Sequence, residues 1–144
     1  SYFDHAALTR GFDDTFLVPH SRYGHIDIDK INACEELVVL AGSERVGAYL
    51  IKNKSGSQVY ITGHPEYDAH TLKGEYLRDQ EKSADAPKPE NYFPEDNPDN
   101  EPSKTWQSHA FLLFSNWLNY YVYQTTPYDI NLVSQDVRTN NYAE

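Results

Sequence analysis

Apolar residues come in short strand-like runs through the first half of the chain and settle into helical spacing only in the second. Glu36-Leu37-Val38-Val39-Leu40-Ala41 is a short apolar run closed by Gly42, which predicts a buried strand. Two further strands are expected at Gly47 to Lys52 and Gln58 to Thr62. The polar, glycine-containing turn Asn53-Lys54-Ser55-Gly56-Ser57 between them makes the pair a hairpin. The first thirty residues are broken by Gly11, Pro19 and Gly24 and read as loop. A helix is expected from about Ala69 to Lys82, with Ala69, Leu72, Tyr76 and Leu77 on one face. Residues 84–104 hold five prolines and six acidic residues, so this stretch is a long surface loop, either a lid or an extended wrap. Beyond it, Trp106, Ala110, Leu113, Phe114, Trp117 and Tyr121 recur at three- and four-residue steps. That spacing predicts an amphipathic helix capped by Ser103 or Thr105 and ended by Pro127, with its aromatic stripe in the core.

Composition narrows the classes. At 144 residues and 39% hydrophobic, the chain has the size and apolar content of one globular domain. Twelve basic against 22 acidic residues leave a formal net charge of -10, which disfavours nucleic acid and anionic membrane as partners. The longest apolar stretch, Phe111 to Tyr123, is interrupted by Ser115, Asn116 and Asn119 and is too short to span a bilayer. No secretory signal opens the chain, and the absence of methionine, even at the start, points to a natural beginning elsewhere. The single cysteine, Cys34, excludes an intrachain disulfide and a cysteine-rich zinc site and fits a reducing, cytoplasmic setting.

The sharpest chemical signal is Gly63-His64-Pro65-Glu66, between a β-branched strand and a helix. Open α/β sheets place ligands at such strand ends. His64 can exchange a proton near neutral pH while Glu66 orients its ring, and Pro65 stiffens the pair. From these residues alone, a surface His and Glu beside a proline turn is an equal reading. Cys34 lacks the small neighbours of a nucleophile elbow, and Glu35 and Glu36 would repel a thiolate, so it reads as structural or incidental. His20 and His25, with Asp27 and Asp29 nearby, match no standard metal spacing; no metal is expected. Asp13-Asp14 belongs to a solvated turn or helix start, or else binds a cation. There is no glycine-rich phosphate loop.

Five strings in order carry a family resemblance. Arg10-Gly11-Phe12-Asp13-Asp14, Pro19-His20-Ser21-Arg22-Tyr23, Thr62-Gly63-His64-Pro65-Glu66-Tyr67-Asp68, Asn91-Tyr92-Phe93-Pro94 and Asn116-Trp117-Leu118-Asn119-Tyr120-Tyr121-Val122-Tyr123 resemble the homoserine O-succinyltransferase family, also called transsuccinylases. The similarity runs from about Leu8 to Ile130. The family has a class I glutamine-amidotransferase-like, flavodoxin-like α/β fold. The resemblance therefore implies that residues 1–130 are the C-terminal portion of that sheet with its flanking helices, followed by a polar tail at 131–144. It implies acyl transfer from succinyl-CoA, or acetyl-CoA in some members, to the hydroxyl of L-homoserine, with acyl-CoA as co-substrate and no cofactor. It assigns His64 as general base, Glu66 as its triad partner, Arg78 as the grip on the homoserine carboxylate and Ser21 as a substrate contact. The nucleophilic cysteine, a substrate-binding lysine and the acyl-donor pocket are expected in an upstream half of the same enzyme, with self-association of the chain.

On the residues alone, Arg78 is an ion pair with Glu75 and Ser21 an ordinary loop residue. Two other classes remain as rivals. One is an amidase using the same triad; the other is an acidic interaction module built on the aromatic helix.

Overall fold

In the computed structural model of the protein, residues 7–127 and Asp129 are described. Three strands form one antiparallel sheet in the order β1-β2-β3: β1 is Leu37–Ser43, β2 is Gly47–Asn53 and β3 is Val59–Ile61. The expected hairpin joins β2 to β3, with Leu50 opposite Ile61 and Lys52 opposite Val59. A second, tighter hairpin joins β1 to β2 and requires Gly47, whose φ is +71° and whose missing Cβ would sit 2.1 Å from the Ile26 carbonyl oxygen. The buried strand is β2 rather than the Glu36–Ala41 run. Flanked on both edges, β2 is buried from Gly47 to Lys52, whereas β1 is an edge strand and only half-buried.

The α/β class is as expected. The described sheet, however, is wholly antiparallel, and no parallel ladder of a flavodoxin-like architecture lies among the described strands. A short helix not foreseen in the opening segment, α1 (Ile28–Asn32), starts where the Asp27 carboxylate accepts from the Asp29 and Lys30 amides at 2.8 and 3.3 Å. Asp27 is therefore an N-cap.

Helix α2 (Thr71–Lys82) buries Leu72, while Leu77, expected on the same face, is exposed. The 84–104 segment contributes one 3₁₀ turn, Pro94–Asp96, and wraps α2. Phe93 is buried against Tyr76, and the Tyr92 hydroxyl donates to the Ala69 carbonyl and accepts from the Lys73 amide at 3.1 Å.

Helix α3 (Gln107–Trp117) continues into a π-helical turn, Leu118–Val122, where the Tyr123 amide reaches back to the Leu118 carbonyl at 2.8 Å. Neither Ser103 nor Thr105 caps α3. The N-cap is Trp106, whose indole N–H can only donate and so cannot cap; it is turned into the core and donates to the Tyr67 carbonyl at 3.1 Å.

The core joins Leu8, Tyr49, Leu50 and Leu113, with Phe12, Phe16, Val18, Leu40, Ile61 and Tyr121 packed around them. The expected aromatic stripe divides. Trp106, Leu113 and Asn116 point inward, but Phe114 and Trp117 are each 41% exposed and Phe111 is 71% exposed. A helix with neighbours on one side buries only one line of its surface. Among the described residues no helix is long and apolar enough to cross a membrane.

Asn116 holds α3 to the opening segment, its side-chain amide donating to the Leu8 and Arg10 carbonyls at 3.0 and 2.9 Å. Asn116→Ala removes both donors from a buried site and should lower stability by ~2–3 kcal/mol in urea denaturation. Truncating the exposed Phe111 should cost well under ~1 kcal/mol.

Candidate active site

The site is assembled where β3 runs out. Thr62 ends the ladder twice over, its amide donating to the Tyr49 carbonyl at 2.9 Å and its hydroxyl to the Ala48 carbonyl at 2.7 Å. Gly63 then passes so close to the opening segment that an added Cβ would meet Val18 Cγ1 at 2.9 Å and the Pro19 carbonyl oxygen at 3.0 Å. The next amide, that of His64, donates to Pro19 at 2.8 Å. A residue with a side chain at position 63 would push the two segments apart.

His64 Nδ1 and Glu66 Oε1 are 2.9 Å apart, so the sequence-predicted pair is brought together. A carboxylate beside Nδ1 favours the tautomer with the proton there, which leaves Nε2 as the basic nitrogen. Nε2 has no hydrogen bond among the described residues. The Tyr67 ring lies face to face on the imidazole, with centroids 4.3 Å apart and planes 16° from parallel. The Tyr67 hydroxyl donates to Glu75 Oε1 of α2 at 2.9 Å. Burial, then that bond to Glu75, pushes the phenol's pKa upward.

Behind the pair lies His20. Its pKa is lowered from 6.5 to about 4, first by burial, then by the Arg22 guanidinium and then by His64. Its Nδ1 is buried with no hydrogen-bond partner among the described residues, and its ring meets Tyr49 edge-on at 5.8 Å. Burial, with the Glu66 charge, raises the Tyr49 phenol. Arg22 donates to the Thr62 carbonyl at 3.3 Å and also to the Val46 carbonyl, tying together the end of β3 and the start of β2 at the open end of the hairpin. The sequence shows His20 only as a histidine without metal spacing and as part of the Pro19–Tyr23 string. Its neighbourhood with His64 depends on a contact across more than forty residues, which no local spacing reveals. Among the described residues no three His, Cys, Asp or Glu side chains gather to hold a metal. Asp13 instead pairs with His109 Nε2 at 3.1 Å, tying the opening turn to α3.

Ser21 is half-buried between His20 and Arg22, and its hydroxyl makes no hydrogen bond among the described residues. Arg78 does not pair with Glu75. Its Nε donates to Asp79 Oδ1 at 3.1 Å, while Glu75 takes the Tyr67 hydroxyl. Arg78 is exposed on α2, three residues after the Glu75 that takes the Tyr67 hydroxyl. Cys34 is exposed in the turn before β1. Leu37, three residues on, faces Asn53, whereas Thr62 bonds to Tyr49, four residues back along β2. The register thus puts the start of β1 and the His64 turn at opposite ends of β2, about 13 Å apart at ~3.3 Å per residue. A cleft of about 950 Å³ between the opening segment, β1 and the 84–104 wrap reaches His20 and Tyr49, but His64 does not line it.

His20 gives the site a pH signature. Its folded pKa lies below the unfolded value, so between pH 6.5 and about 4 the unfolded chain binds a proton that the folded chain refuses. The His20 contribution to stability is therefore full above pH 6.5 and is lost as the pH drops toward 4. His20→Gln should flatten that fall between pH 6.5 and 5, as followed by chemical denaturation at a series of pH values.

Comparison with known proteins supplies the lineage. The family model described as homoserine O-succinyltransferase matches residues 2–128. The chain is 85% identical to the homoserine O-succinyltransferase of Pseudoalteromonas translucida (strain TAC 125), over 99% of this chain and 45% of that protein. It is 56% identical to the homoserine O-succinyltransferase of Pectobacterium carotovorum subsp. carotovorum (strain PC1), over 88% and 41% of the two chains. It is also 52% identical to the homoserine O-acetyltransferase of Petrotoga mobilis (strain DSM 10674 / SJ95), over 90% and 42%. The chain thus spans less than half the length of the curated relatives it matches. With its His-Pro-Glu turn and 127 consecutive residues under the family model, it belongs to the homoserine O-succinyltransferase family.

Proposed function

We propose that this chain supplies the acid–base half of a homoserine O-acyltransferase. The reaction is acyl-CoA plus L-homoserine giving O-acylhomoserine plus free CoA, an early step of methionine synthesis. The observation that carries the reading is the 2.9 Å contact between His64 Nδ1 and Glu66 Oε1, which leaves Nε2 open to a substrate. An alcohol is a poor nucleophile while it keeps its proton. In the proposed step the homoserine hydroxyl gives that proton to His64 Nε2 as its oxygen attacks an enzyme-bound thioester. The imidazolium is held by Glu66, the carbon–sulfur bond breaks, and His64 returns the proton to the departing thiolate, so that the thiol and the neutral imidazole are both regenerated.

The thioester would form on a cysteine outside this chain. Two observations support that. Cys34 is exposed and lies at the wrong end of the sheet. The dyad is also open, with side-chain exposures of 35% for His64 and 58% for Glu66, and a thioester needs a site from which water is kept out. A further region, corresponding to the remaining length of the relatives, would bring the nucleophile and the cover. Together with it, the antiparallel sheet described here would extend into the flavodoxin-like, glutamine-amidotransferase-like architecture.

Arg78 would hold the homoserine carboxylate. A guanidinium suits that fork, and among the described residues its one hydrogen bond is from Nε to Asp79. Ser21, with its hydroxyl unused beside His20, would add a substrate contact. Succinyl is the favoured acyl group, because the 85% identical relative is named for it; the acetyl reading has the 52% identical Petrotoga relative on its side.

Thiol release from succinyl-CoA or acetyl-CoA in the presence of homoserine, with this chain alone and then joined to the upstream region, tests the reading. The chain alone should be silent and the joined protein active, with succinyl-CoA preferred. Turnover by the chain alone would make Cys34 or another group the nucleophile and overturn the split. In the active protein His64→Ala should lower kcat by at least ~100-fold. Arg78→Ala should raise KM for homoserine by roughly tenfold or more, the loss of a charge-assisted hydrogen bond being worth about 1.5–3 kcal/mol.

A further inference from the structure

We infer that Tyr67 is a positioning residue for the general base, clamping the His64 imidazole in the plane that keeps Nδ1 on Glu66 and turns Nε2 outward; the catalytic part of this inference rests on the function proposed above. A histidine ring half open to solvent can rotate about its χ2 bond, and one hydrogen bond to an exposed carboxylate is a weak restraint. The Tyr67 ring, 4.3 Å away and 16° from parallel, covers one whole face of the imidazole. Rotation would drive the imidazole edge into that ring.

The clamp is itself anchored on three sides. The Tyr67 amide donates to the His64 carbonyl at 3.2 Å and closes the turn. Its carbonyl accepts the indole N–H of buried Trp106 at 3.1 Å, and its hydroxyl donates to Glu75 at 2.9 Å. Glu75 sits three residues before Arg78 on α2. Tyr67 therefore also sets the distance between the base and the helix that carries the arginine. The charged and titratable groups facing His64 are Glu66, His20 and Tyr67 itself, and of these only Tyr67 contacts the face of the ring.

The test compares Tyr67→Leu and Tyr67→Phe in the joined, active protein, with ¹⁵N chemical shifts of the His64 ring read alongside kcat and KM. Tyr67→Leu should lower kcat by about tenfold while KM for homoserine stays within about twofold, because orientation of the base is lost and substrate binding is kept. The ring nitrogens should move from a single Nδ1–H tautomer to a mixture. Tyr67→Phe keeps the ring face and should restore both the single tautomer and most of kcat. If Tyr67→Leu does not fold, Tyr67→Met takes its place. Unchanged tautomer shifts in the aliphatic variant, or a loss in Tyr67→Phe equal to that in Tyr67→Leu, would overturn the inference. A wild-type protein that shows no acyl transfer would overturn the proposed function, and the tautomer comparison would still decide whether Tyr67 clamps the ring.

Discussion

The hydrogen bond from the His64 amide to the Pro19 carbonyl is the contact from which the site is measured. A bond of this kind adds only about 1 kcal/mol net, and its importance lies in what it joins. Residues 12–20 form no strand or helix, yet Phe16 and Val18 pack on the sheet, and Pro19 is drawn against the end of β3. Gly63 makes the approach possible, because a Cβ there would collide with Val18, His20 and Pro19 together. Through that single crossing His20 comes to lie behind His64, and Arg22 reaches the carbonyls of Thr62 and Val46. Loosening it would part His20 and Arg22 from the His64 turn, which lies more than forty residues further along the chain.

The 84–104 wrap extends the same logic to α2. Prolines restrict the free chain, so ordering a segment with five of them costs less than ordering a flexible loop of equal length. Phe93 and Pro102 are buried, Tyr92 ties the start of α2, and the Trp106 that follows reaches the Tyr67 carbonyl. The segment is thus a brace. It fixes the helix that holds Arg78 and, through Trp106 and Glu75, the tyrosine stacked on His64. Its acidic residues are partly spent on the same task, Glu90 on Arg45 and Glu101 on Lys73 and His70.

How much of this the sequence disclosed follows from the range of each interaction. The hairpin around Gly56, the α2 helix, the irregular 84–104 stretch and the α3 periodicity are local patterns, and all are legible. So is the pairing of His64 with Glu66, since two residues and one proline set its geometry. The burial of β2 over β1 was misread, because edge or centre is decided by a strand's neighbours and not by its own apolar run. Neither Ser103 nor Thr105 caps α3, because the helix begins beyond them at Gln107, with buried Trp106 at the N-cap position. His20 and Tyr67 escaped notice for related reasons. One depends on a distant crossing, and the other is a ring whose stacking direction no spacing encodes.

The divided stripe of α3 bears on what surrounds this chain. Phe111, Phe114 and Leu118 recur at three and four residues, with Trp117 beside them, so the apolar positions that miss the core form a second line and not a scatter. Isolated exposed apolar residues need no explanation, but a row of aromatic side chains along one helix face costs solubility unless something covers it. The dyad is open in the same way, with a base and its carboxylate assembled in a place where water is free to enter. Relatives of this chain are more than twice its length. A region packed along the outward line of α3 would bury that row, and one that also reached the His64 turn would keep water from the dyad, so a single packed surface would serve both.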